Sequence, residues 1–489
     1  MSTLPPEVLG NIFLWNVTLE EPGLGGLEEI SHNFLLVCHH WFEVASRTPD
    51  LWTFWGNTLE DWEKRYLRSR VSAPLDLVLE ETSPMYYYSI SEPQRVTLED
   101  RVARDTIRRV HLQSYDRDLL ASIISPLTPP RGELRTKSME SLILRSEYHP
   151  TDVSDFLARS RLPKVRCLEL ANCTISSWDH LTSQTTLLKT LRLFSNNASP
   201  IPTMPQLLSM LASNPHLQEL KLNAWAIPNG DGDGASHQVP LRYLEELQLD
   251  GDVGQVFRLL RRLECPKKMG RVSISPSHCT VADISQTIGP YIRDHLLRRG
   301  RSENGLGLIL SNCGLGLLAF HVGDPGDFHP STSDSARMAS FLSITFGLGQ
   351  AVPGDALERG TLELITHTPR KEIVYFRACG TLTAVADLRV QMPNLKALDL
   401  FMVPLSVIFE IPDQDGSYAQ ERFPPSLQHL FLERLIVNGY DWVPLIVFLS
   451  SRASSGNKLD SILIGGPCHM CSRVADGIRD IQCSDAPYR

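Results

Sequence analysis

The sequence has 489 residues, of which 42% are hydrophobic and 21% are charged. This composition supports a large buried core and excludes a wholly disordered chain, and the length is about three times that of one small domain. The formal net charge is −9, and lysine and arginine do not cluster among aromatic residues, which argues against a dedicated nucleic-acid-binding protein.

The cysteines and the N-terminal residues indicate an intracellular protein of the cytoplasm or the nucleus. Ten cysteines are spread along the chain, mostly within apolar segments, as is typical of reduced thiols and not of a disulfide scaffold. The first residues lack the basic and apolar regions of a secretory signal peptide. The uncharged stretch 305–322 is long enough for a membrane span, but its glycines, Asn312 and His321 favour a soluble repeat.

Two short amphipathic helices are predicted near the N-terminus. The first has Val8, Leu9, Ile12 and Phe13 on one face, and the second follows a glycine-rich break and carries an apolar stripe that includes Trp41. A unit of about 50 residues is too small to bury this much apolar surface by itself. The surface is therefore covered either by the rest of the chain, as by a cap, or by a second protein with an apolar groove.

Several motifs in this region together resemble the F-box. They are Leu4-Pro5-Pro6-Glu7-Val8-Leu9, Ile12-Phe13, Val37-Cys38-His39-His40-Trp41, Ala45 and Pro49-Asp50-Leu51-Trp52. They occur in the order of that motif, with a longer first loop, in the divergent form common in the large fungal, basidiomycete-type family of F-box-like proteins.

The resemblance implies a non-enzymatic adaptor that recruits a protein substrate to an SCF-type ubiquitin ligase. The N-terminal module would bind the Skp linker subunit and, through it, the cullin and RING subunits. The residues that match Skp contacts are Leu4, Pro5, Ile12, Phe13, Val37, Trp41, Leu51 and Trp52. The alternative is an interaction scaffold that binds no Skp subunit and in which the helical module only caps the rest of the chain.

The pattern L-x-x-L-x-L recurs after the module and a bridging segment. Its first positions are Ile107, Met139, Val165, Leu188, Leu217, Leu244, Met269, Leu395, Leu427 and Leu459. Three further units fit between 269 and 395, represented by Leu308/Leu310, Ile344/Phe346 and Val374/Phe376. Two units, those at Leu168 and Leu308, extend to L-x-L-x-x-C-x-L, in which a thiol or amide side chain satisfies backbone groups at the end of a strand.

Such units cannot bury their apolar faces alone and therefore stack on their neighbours. The predicted fold is α/β, a leucine-rich-repeat solenoid (horseshoe) preceded by a small all-α F-box-like helical module. The predicted domains are the module at 1–56, a bridging helix and first strand (Leu75, Leu77, Leu79) at 57–105, and the solenoid at 106–489.

The side chains between the leucines of each unit are predicted to form the substrate-binding face. They are Glu169, Arg192, Lys221, Gln248, Asp399 and Phe431. Because their charge and polarity are mixed, they favour a protein surface as the substrate over a single small anion or phosphate.

Signatures of common enzymes are absent from the sequence, so no catalytic residue, cofactor or metal is predicted. Residues Gly314 to Ala319 match the dinucleotide fingerprint G-x-G-x-x-A and leave an NAD(P)-dependent oxidoreductase as a second alternative, although the repeat pattern accounts for the same residues. Cys468, Cys471 and Cys483 are metal-capable, but a structural zinc site needs four suitably placed ligands, which favours core or incidental thiols.

Overall fold

The structure is a computed structural model of the chain. The residues that it describes are 4–18, 37–48, 51, 54–55, 74–80, 107–115, 117–127, 138–160, 162–195, 202–223, 226–228, 238–267, 269–277, 279–300, 305–312, 317–323, 342–347, 354–379, 391–401, 423–433, 442–465 and 478–484.

The chain is divided into two compact units. The N-terminal unit is Met1–Leu244 with Arg262–Glu264, and the C-terminal unit is Glu245–Arg261 with Cys265–Arg489. The division falls inside the predicted solenoid.

Helices and strands alternate along most of the described chain. The α-helices are α1 (Pro6–Thr18), α2 (His39–Arg47), α3 (Arg117–Leu127), α4 (Ser154–Arg159), α5 (Trp178–Gln184), α6 (Met204–Ala212), α7 (Val253–Arg262), α8 (Val281–Asp283), α9 (Gly289–Arg299), α10 (Gly354–Thr366) and α11 (Trp442–Ser454). A π-helical turn, Ile284–Ile288, joins α8 to α9, and a 3-10 turn, Arg370–Glu372, precedes a strand.

The strands are short, and most have an apolar residue at every second position. They are β1 (Phe54–Trp55), β2 (Leu75–Glu80), β3 (Ile107–Ser114), β4 (Ser141–Ser146), β5 (Thr151–Asp152), β6 (Cys167–Ala171), β7 (Cys173–Thr174), β8 (Thr190–Phe194), β9 (Glu219–Leu222), β10 (Val239–Pro240), β11 (Glu246–Asp252), β12 (Leu263–Glu264), β13 (Arg271–Ser277), β14 (Leu306–Asn312), β15 (Leu317–Gly323), β16 (Leu342–Gly347), β17 (Ile373–Cys379), β18 (Ala397–Phe401), β19 (His429–Glu433), β20 (Leu459–Gly465) and β21 (Ile478–Ser484).

Seven described strands of the N-terminal unit pair in parallel in the order β1–β2–β3–β4–β6–β8–β9, and β5 with β7 and β10 with β12 form separate parallel pairs. In each L-x-x-L-x-L unit from Ile107 to Leu217, the second and third apolar positions lie on one of the seven strands, and Leu75, Leu77 and Leu79 lie on β2, as predicted. Register partners across five of the strands are Val110, Leu142, Leu168, Leu191 and Leu220, each at most 1% exposed. Because strand side chains alternate between faces, the leucines line the core and the residues between them lie on the opposite, polar face.

Side chains satisfy the backbone at the point where β6 ends. Asn172 has a φ of 53°, in the left-handed region where Asn is enriched. Its amide nitrogen donates to the carbonyls of Ser146 (2.6 Å) and Glu147 (3.2 Å), and the Cys173 thiol lies 3.5 Å from the Leu144 carbonyl oxygen. These contacts fix the end of β6 against the end of β4, as the sequence pattern predicts for this turn.

The described strands of the C-terminal unit follow the order β11–β13–β16–β15–β14–β17–β18–β19–β20–β21. Their pairing is parallel except that β15 is antiparallel to both β14 and β16. Both units are therefore mixed α/β with mostly parallel pairing. The leucine-rich-repeat solenoid stays a prediction.

The middle of the chain departs from the predicted succession of units. Strands do occupy the positions around Leu308, Ile344 and Val374, but β14 pairs with β17 and not with β13. Only 313–316 separate β14 from β15, and so short a connection permits an antiparallel hairpin but not a parallel crossover. The strands of these three positions therefore do not pair with one another in the order in which they follow along the chain.

In the uncharged stretch 305–322, the described residues 306–312 and 317–322 lie in the antiparallel strands β14 and β15. Within the described ranges, no helix combines the length and the apolar composition that crossing a membrane requires.

Candidate partner-binding surfaces

Helices α1 and α2 share a small core of their own. Its buried residues are Leu9, Phe13, Val44, Ala45 and Leu51, with Leu14 and Trp41 packed against them. The rings of Phe13 and Trp41 are 5.2 Å apart at an angle of 59°. One side of α1 is thereby used to hold the two helices together.

The turn after α2 brings Leu51 into this core. The Thr48 hydroxyl donates to the Val44 carbonyl (2.8 Å), and the Thr48 amide donates to the Ala45 carbonyl (3.0 Å). The Leu51 amide then donates to the Thr48 carbonyl (3.2 Å). A Cβ on Gly10 would lie 3.1 Å from the Thr48 side-chain oxygen, so glycine permits the close approach of α1 to this turn.

The opposite side of α1 is apolar and exposed. Its residues are Val8 (44% exposed), Ile12 (46%) and Trp15 (70%), and Leu4 (50%) just before α1, Val37 (57%) just before α2 and Phe42 (41%) in α2 are exposed as well. We call these six residues the outer apolar surface. The spacing of four and three residues from Val8 through Ile12 to Trp15 places these three side chains on one face of the helix. Exposed apolar residues grouped in this way are typical of protein interaction sites.

The structure divides the predicted Skp contacts into two groups. Leu4, Ile12 and Val37 belong to the outer apolar surface, and Pro5 beside them is exposed. Phe13 and Leu51 are instead only 2% and 5% exposed, because they fill the space between the two helices. They support the surface from within and do not reach a partner.

Two other predicted contacts complete this set. Trp41 is half-buried against the core, and Trp52 lies outside the described residues. The predicted contact set omitted Val8, Trp15 and Phe42. The spacing of Val8, Ile12 and Trp15 along α1 is the sequence signal that could have added Val8 and Trp15 to the predicted contacts.

A ladder of ion pairs crosses the polar face of the N-terminal unit. We call Arg145, Glu169, Arg192, Glu219 and Lys221 the charge ladder. The Arg145 Nε donates to Glu169 Oε1, and Arg192 Nη1 donates to Glu169 Oε2 at 3.1 Å. On its other side Arg192 donates to both oxygens of Glu219 (2.8 and 3.0 Å), and Lys221 Nζ lies 2.7 Å from Glu219 Oε1.

The side chains of the charge ladder differ in their exposure, and burial and hydrogen bonding shift the pKa of two of them. The Glu169 side chain is only 2% exposed, whereas the side chains of Arg145 and Arg192 are 25% and 29% exposed. The two predicted substrate contacts Arg192 and Lys221 are therefore accessible, and Glu169 lies beneath them. Burial alone would raise the pKa of Glu219, but hydrogen bonds from Arg192 and Lys221 outweigh it and lower that pKa. Hydrogen bonding to Glu219 in turn raises the pKa of Arg192.

His111 lies next to this ladder, and its titration should make stability depend on pH. Burial, and secondarily the charge of Arg145, lower its pKa from 6.5 to about 4. Between these values the unfolded chain binds a proton that the folded chain does not, so stability falls as the pH falls from 6.5 towards 4. In urea unfolding at several pH values, we expect His111→Gln to remove a slope of about 1.4 kcal/mol per pH unit.

Equal slopes for His111→Gln and the unaltered chain would rule out His111 as the source of this pH dependence.

Asp399, another predicted substrate contact, is buried in the C-terminal unit. Its Oδ2 accepts a hydrogen bond from the Tyr375 hydroxyl (2.8 Å) and lies 3.3 Å from Arg377 Nη1. Burial raises the pKa of Asp399, and it also raises the pKa of Tyr375. Asp399 thus belongs to an internal polar network between β17 and β18 and does not reach the surface.

Gln248 and Phe431, the remaining predicted substrate contacts, are half-buried in the C-terminal unit. Gln248 Nε2 donates to Asp250 Oδ2 (3.1 Å), and the ring of Phe431 stacks on His429 at 6.5 Å between centroids. Substrate binding by any of the six residues stays a prediction.

The dinucleotide fingerprint does not have the local structure that it requires. In a dinucleotide site the glycine turn leads into a helix whose N-terminus binds the pyrophosphate. Residues 313–316 lie outside the described residues, but β15 begins at Leu317 and runs antiparallel to β14. A strand therefore stands where the helix should begin, which removes the structural argument for the oxidoreductase alternative.

The metal-capable cysteines near the C-terminus are only partly placed. Cys468 and Cys471 lie outside the described residues, and of Cys483 only the backbone, in β21, is described. Among the side chains that are described, no three His, Cys, Asp or Glu residues form a group that could hold a metal ion.

Comparison with known proteins adds no family assignment. No protein-family model matches the sequence, and no curated protein matches it at a significant level.

Proposed function

We propose that this chain is a substrate-recruiting adaptor of an SCF-type ubiquitin ligase. In this proposal α1 and α2 bind the Skp linker subunit, and through it the cullin and RING subunits, while the strands that follow bind a target protein. The observation that carries the proposal is the outer apolar surface, which α1 presents while its other side fills the core shared with α2.

The energetics of this surface favour a stable complex. Full burial of a large apolar side chain contributes about 1.5–3 kcal/mol, and side chains that are already half-buried gain correspondingly less. Several such side chains on one helix face, laid into an apolar groove, are a common mode of recognition between proteins. Trp15, which is 70% exposed, has the most to gain and is the expected centre of the contact.

The adaptor itself would carry out no bond chemistry. By binding the linker subunit at one end and the target at another, it would raise the concentration of the target near the ubiquitin-conjugating enzyme. The residues of this chain would contribute contacts and orientation only.

The scaffold alternative expects the helical module to cap the rest of the chain. A cap would need its apolar residues to be covered by this chain, whereas those of the outer apolar surface keep 41% to 70% exposure. This favours an external partner over the cap.

A titration of the full chain with the purified Skp subunit of the same organism tests the proposal. We expect binding in the micromolar range or tighter, and we expect Ile12→Glu with Trp15→Glu to weaken it at least about 100-fold, because each change places a charge in an apolar contact. Both side chains are exposed, so the melting temperature should stay unchanged.

Leu187→Glu is the matched control, because Leu187 is also an apolar residue of the N-terminal unit, with 46% exposure, outside α1 and α2. It should bind the Skp subunit like the unaltered chain. If the unaltered chain does not bind, or if the double variant binds equally well, the proposal is wrong.

A further inference from the structure

The charge ladder presents its cations outward and its central carboxylate inward. Arg145 and Arg192 both donate to Glu169, one to each oxygen, so the two guanidinium groups flank a single buried carboxylate. The side chains of Arg145, Arg192 and Lys221 are 25%, 29% and 19% exposed, against 2% for Glu169. At the Arg145–Arg192 pair, an approaching molecule would therefore meet the guanidinium groups before the Glu169 carboxylate, whereas Glu219 beside Lys221 is 16% exposed.

The two arginines keep unused donors. A guanidinium has five N–H donors. Arg192 makes three hydrogen bonds to Glu169 and Glu219, and Arg145 makes two, to Glu169 and Gln113. Among the described residues, each arginine thus retains at least two N–H groups without a protein partner, in a side chain that is partly exposed.

The carboxylates of Glu169 and Glu219 also hold the arginines in place. A flexible arginine loses conformational entropy when it binds a ligand, but one that is already fixed by an internal ion pair loses less. Guanidinium groups with free donors favour carboxylate ligands, to which they can donate two parallel hydrogen bonds. The charge ladder therefore combines fixed side chains with free N–H donors, which favours an anion-binding site over a set of isolated surface charges.

Two aromatic residues follow strands of this face. The rings of Tyr115 and Tyr148, which follow β3 and β4, are 5.3 Å apart, and Tyr148 is 62% exposed. Tyrosine, like arginine, is enriched in protein interfaces. Glu147, which also follows β4, is engaged by Gln113 Nε2 at 3.0 Å.

We propose that the Arg145–Arg192 pair, with Lys221 beside it, is the docking site for an acidic segment of a partner protein. Its identification as the place where the ligase target binds rests on the function proposed above, but acidic-segment binding itself does not. A nucleic acid is the less suitable anion, because the chain has a formal net charge of −9 and a site of three cations does not follow a continuous phosphate backbone.

Fluorescence anisotropy with the full chain and a labelled twelve-residue peptide of alternating Glu and Ser tests this site. We expect saturable binding that weakens at high salt, and no binding of the matched peptide of alternating Gln and Ser. Lys221→Gln should weaken binding about threefold, and Arg145→Gln with Lys221→Gln should weaken it at least tenfold. Lys189→Gln, which removes an exposed cation just before β8, is the control and should change binding less than twofold.

The outcomes separate this site from the proposed function. Lys221 lies at the outer end of the charge ladder. The Lys221→Gln variant therefore provides a test even if the variant that also carries Arg145→Gln does not fold. Binding of the acidic peptide by a chain that does not bind the Skp subunit would uphold the site and reject the ligase role. Equal binding of both peptides, no binding of either, or preferential binding of a twelve-residue oligothymidine would overturn the proposal.

Discussion

Replacing Glu169 with glutamine is expected to destabilise the N-terminal unit by about 3 kcal/mol. The Glu169 carboxylate is buried between Arg145 and Arg192 and pairs with both, while Arg192 also pairs with Glu219. Glutamine keeps the shape of the side chain but removes the negative charge, so two guanidinium groups are left next to each other without it. Urea unfolding followed by circular dichroism should show a lower midpoint with an unchanged slope.

A double-mutant cycle separates the ion pair from a general loss of packing. Glu169→Gln combined with Arg192→Gln should cost less than the sum of the two single changes, because the second change removes one of the unpaired charges. Asp179→Asn is the control, since Asp179 is exposed and its oxygen accepts a hydrogen bond from Gln206 that asparagine can keep. It should change stability by less than about 0.5 kcal/mol. A loss for Glu169→Gln no greater than that for Asp179→Asn would contradict the structural role given to the ladder.

Replacing Arg452 with methionine is expected to cost the C-terminal unit about 3–5 kcal/mol. The Arg452 side chain lies over the ring of Phe448 and donates to four backbone carbonyls, those of Pro424, Pro425, Leu427 and Asn457. Methionine preserves the length and the apolar contact but leaves these acceptors without their donor. The segment that leads into β19 then loses its attachment to α11, which should lower the thermal midpoint.

Arg293 is the matched control for Arg452. Its side chain is 54% exposed, and its contact with Asp294 is an exposed ion pair at 3.7 Å. Arg293→Met should change stability by less than about 0.5 kcal/mol, because exposed ion pairs contribute little. Similar melting temperatures for the two variants would mean that the buried hydrogen bonds of Arg452 do not hold this part of the unit together.

The strand positions could be predicted from the sequence because burial imposes a period of two. Leu168 and Leu170 must face the core, and Glu169 between them must face away from it, whatever the strands on either side. The same reasoning placed Glu169, Arg192 and Lys221 on one face before any pairing was known. Their adjacency in the register confirms that placement.

The direction of strands could not be predicted in the same way. Leu308 and Leu310 in β14 show the same alternation as the leucines of parallel strands, since the pattern is identical in either direction. The short connection at 313–316 decides the matter, because it cannot reach back to start a parallel strand. That constraint is visible only once both ends of the hairpin are known to be strands.

Tertiary contacts also decide which side chains of α1 are buried, because the helix has apolar residues on more than one side. Ile12 and Phe13 are neighbours of similar hydrophobicity, yet one is 46% exposed and the other 2%. Which side of α1 faces inward depends on α2 and on the turn at Thr48, and neither can be placed from the α1 sequence. For a similar reason the burial of Asp399 could not be anticipated, since Tyr375 and Arg377, which bind it, lie on the neighbouring strand.

Hydrogen–deuterium exchange of the full chain, with and without the purified Skp subunit, tests the central claim most directly. We expect the subunit to slow exchange in Pro6–Thr18 and at the start of His39–Arg47, where the outer apolar surface lies. Exchange in the strands of the C-terminal unit should stay the same. Unchanged exchange in Pro6–Thr18 at saturating Skp subunit, or protection confined to other segments, would contradict the account.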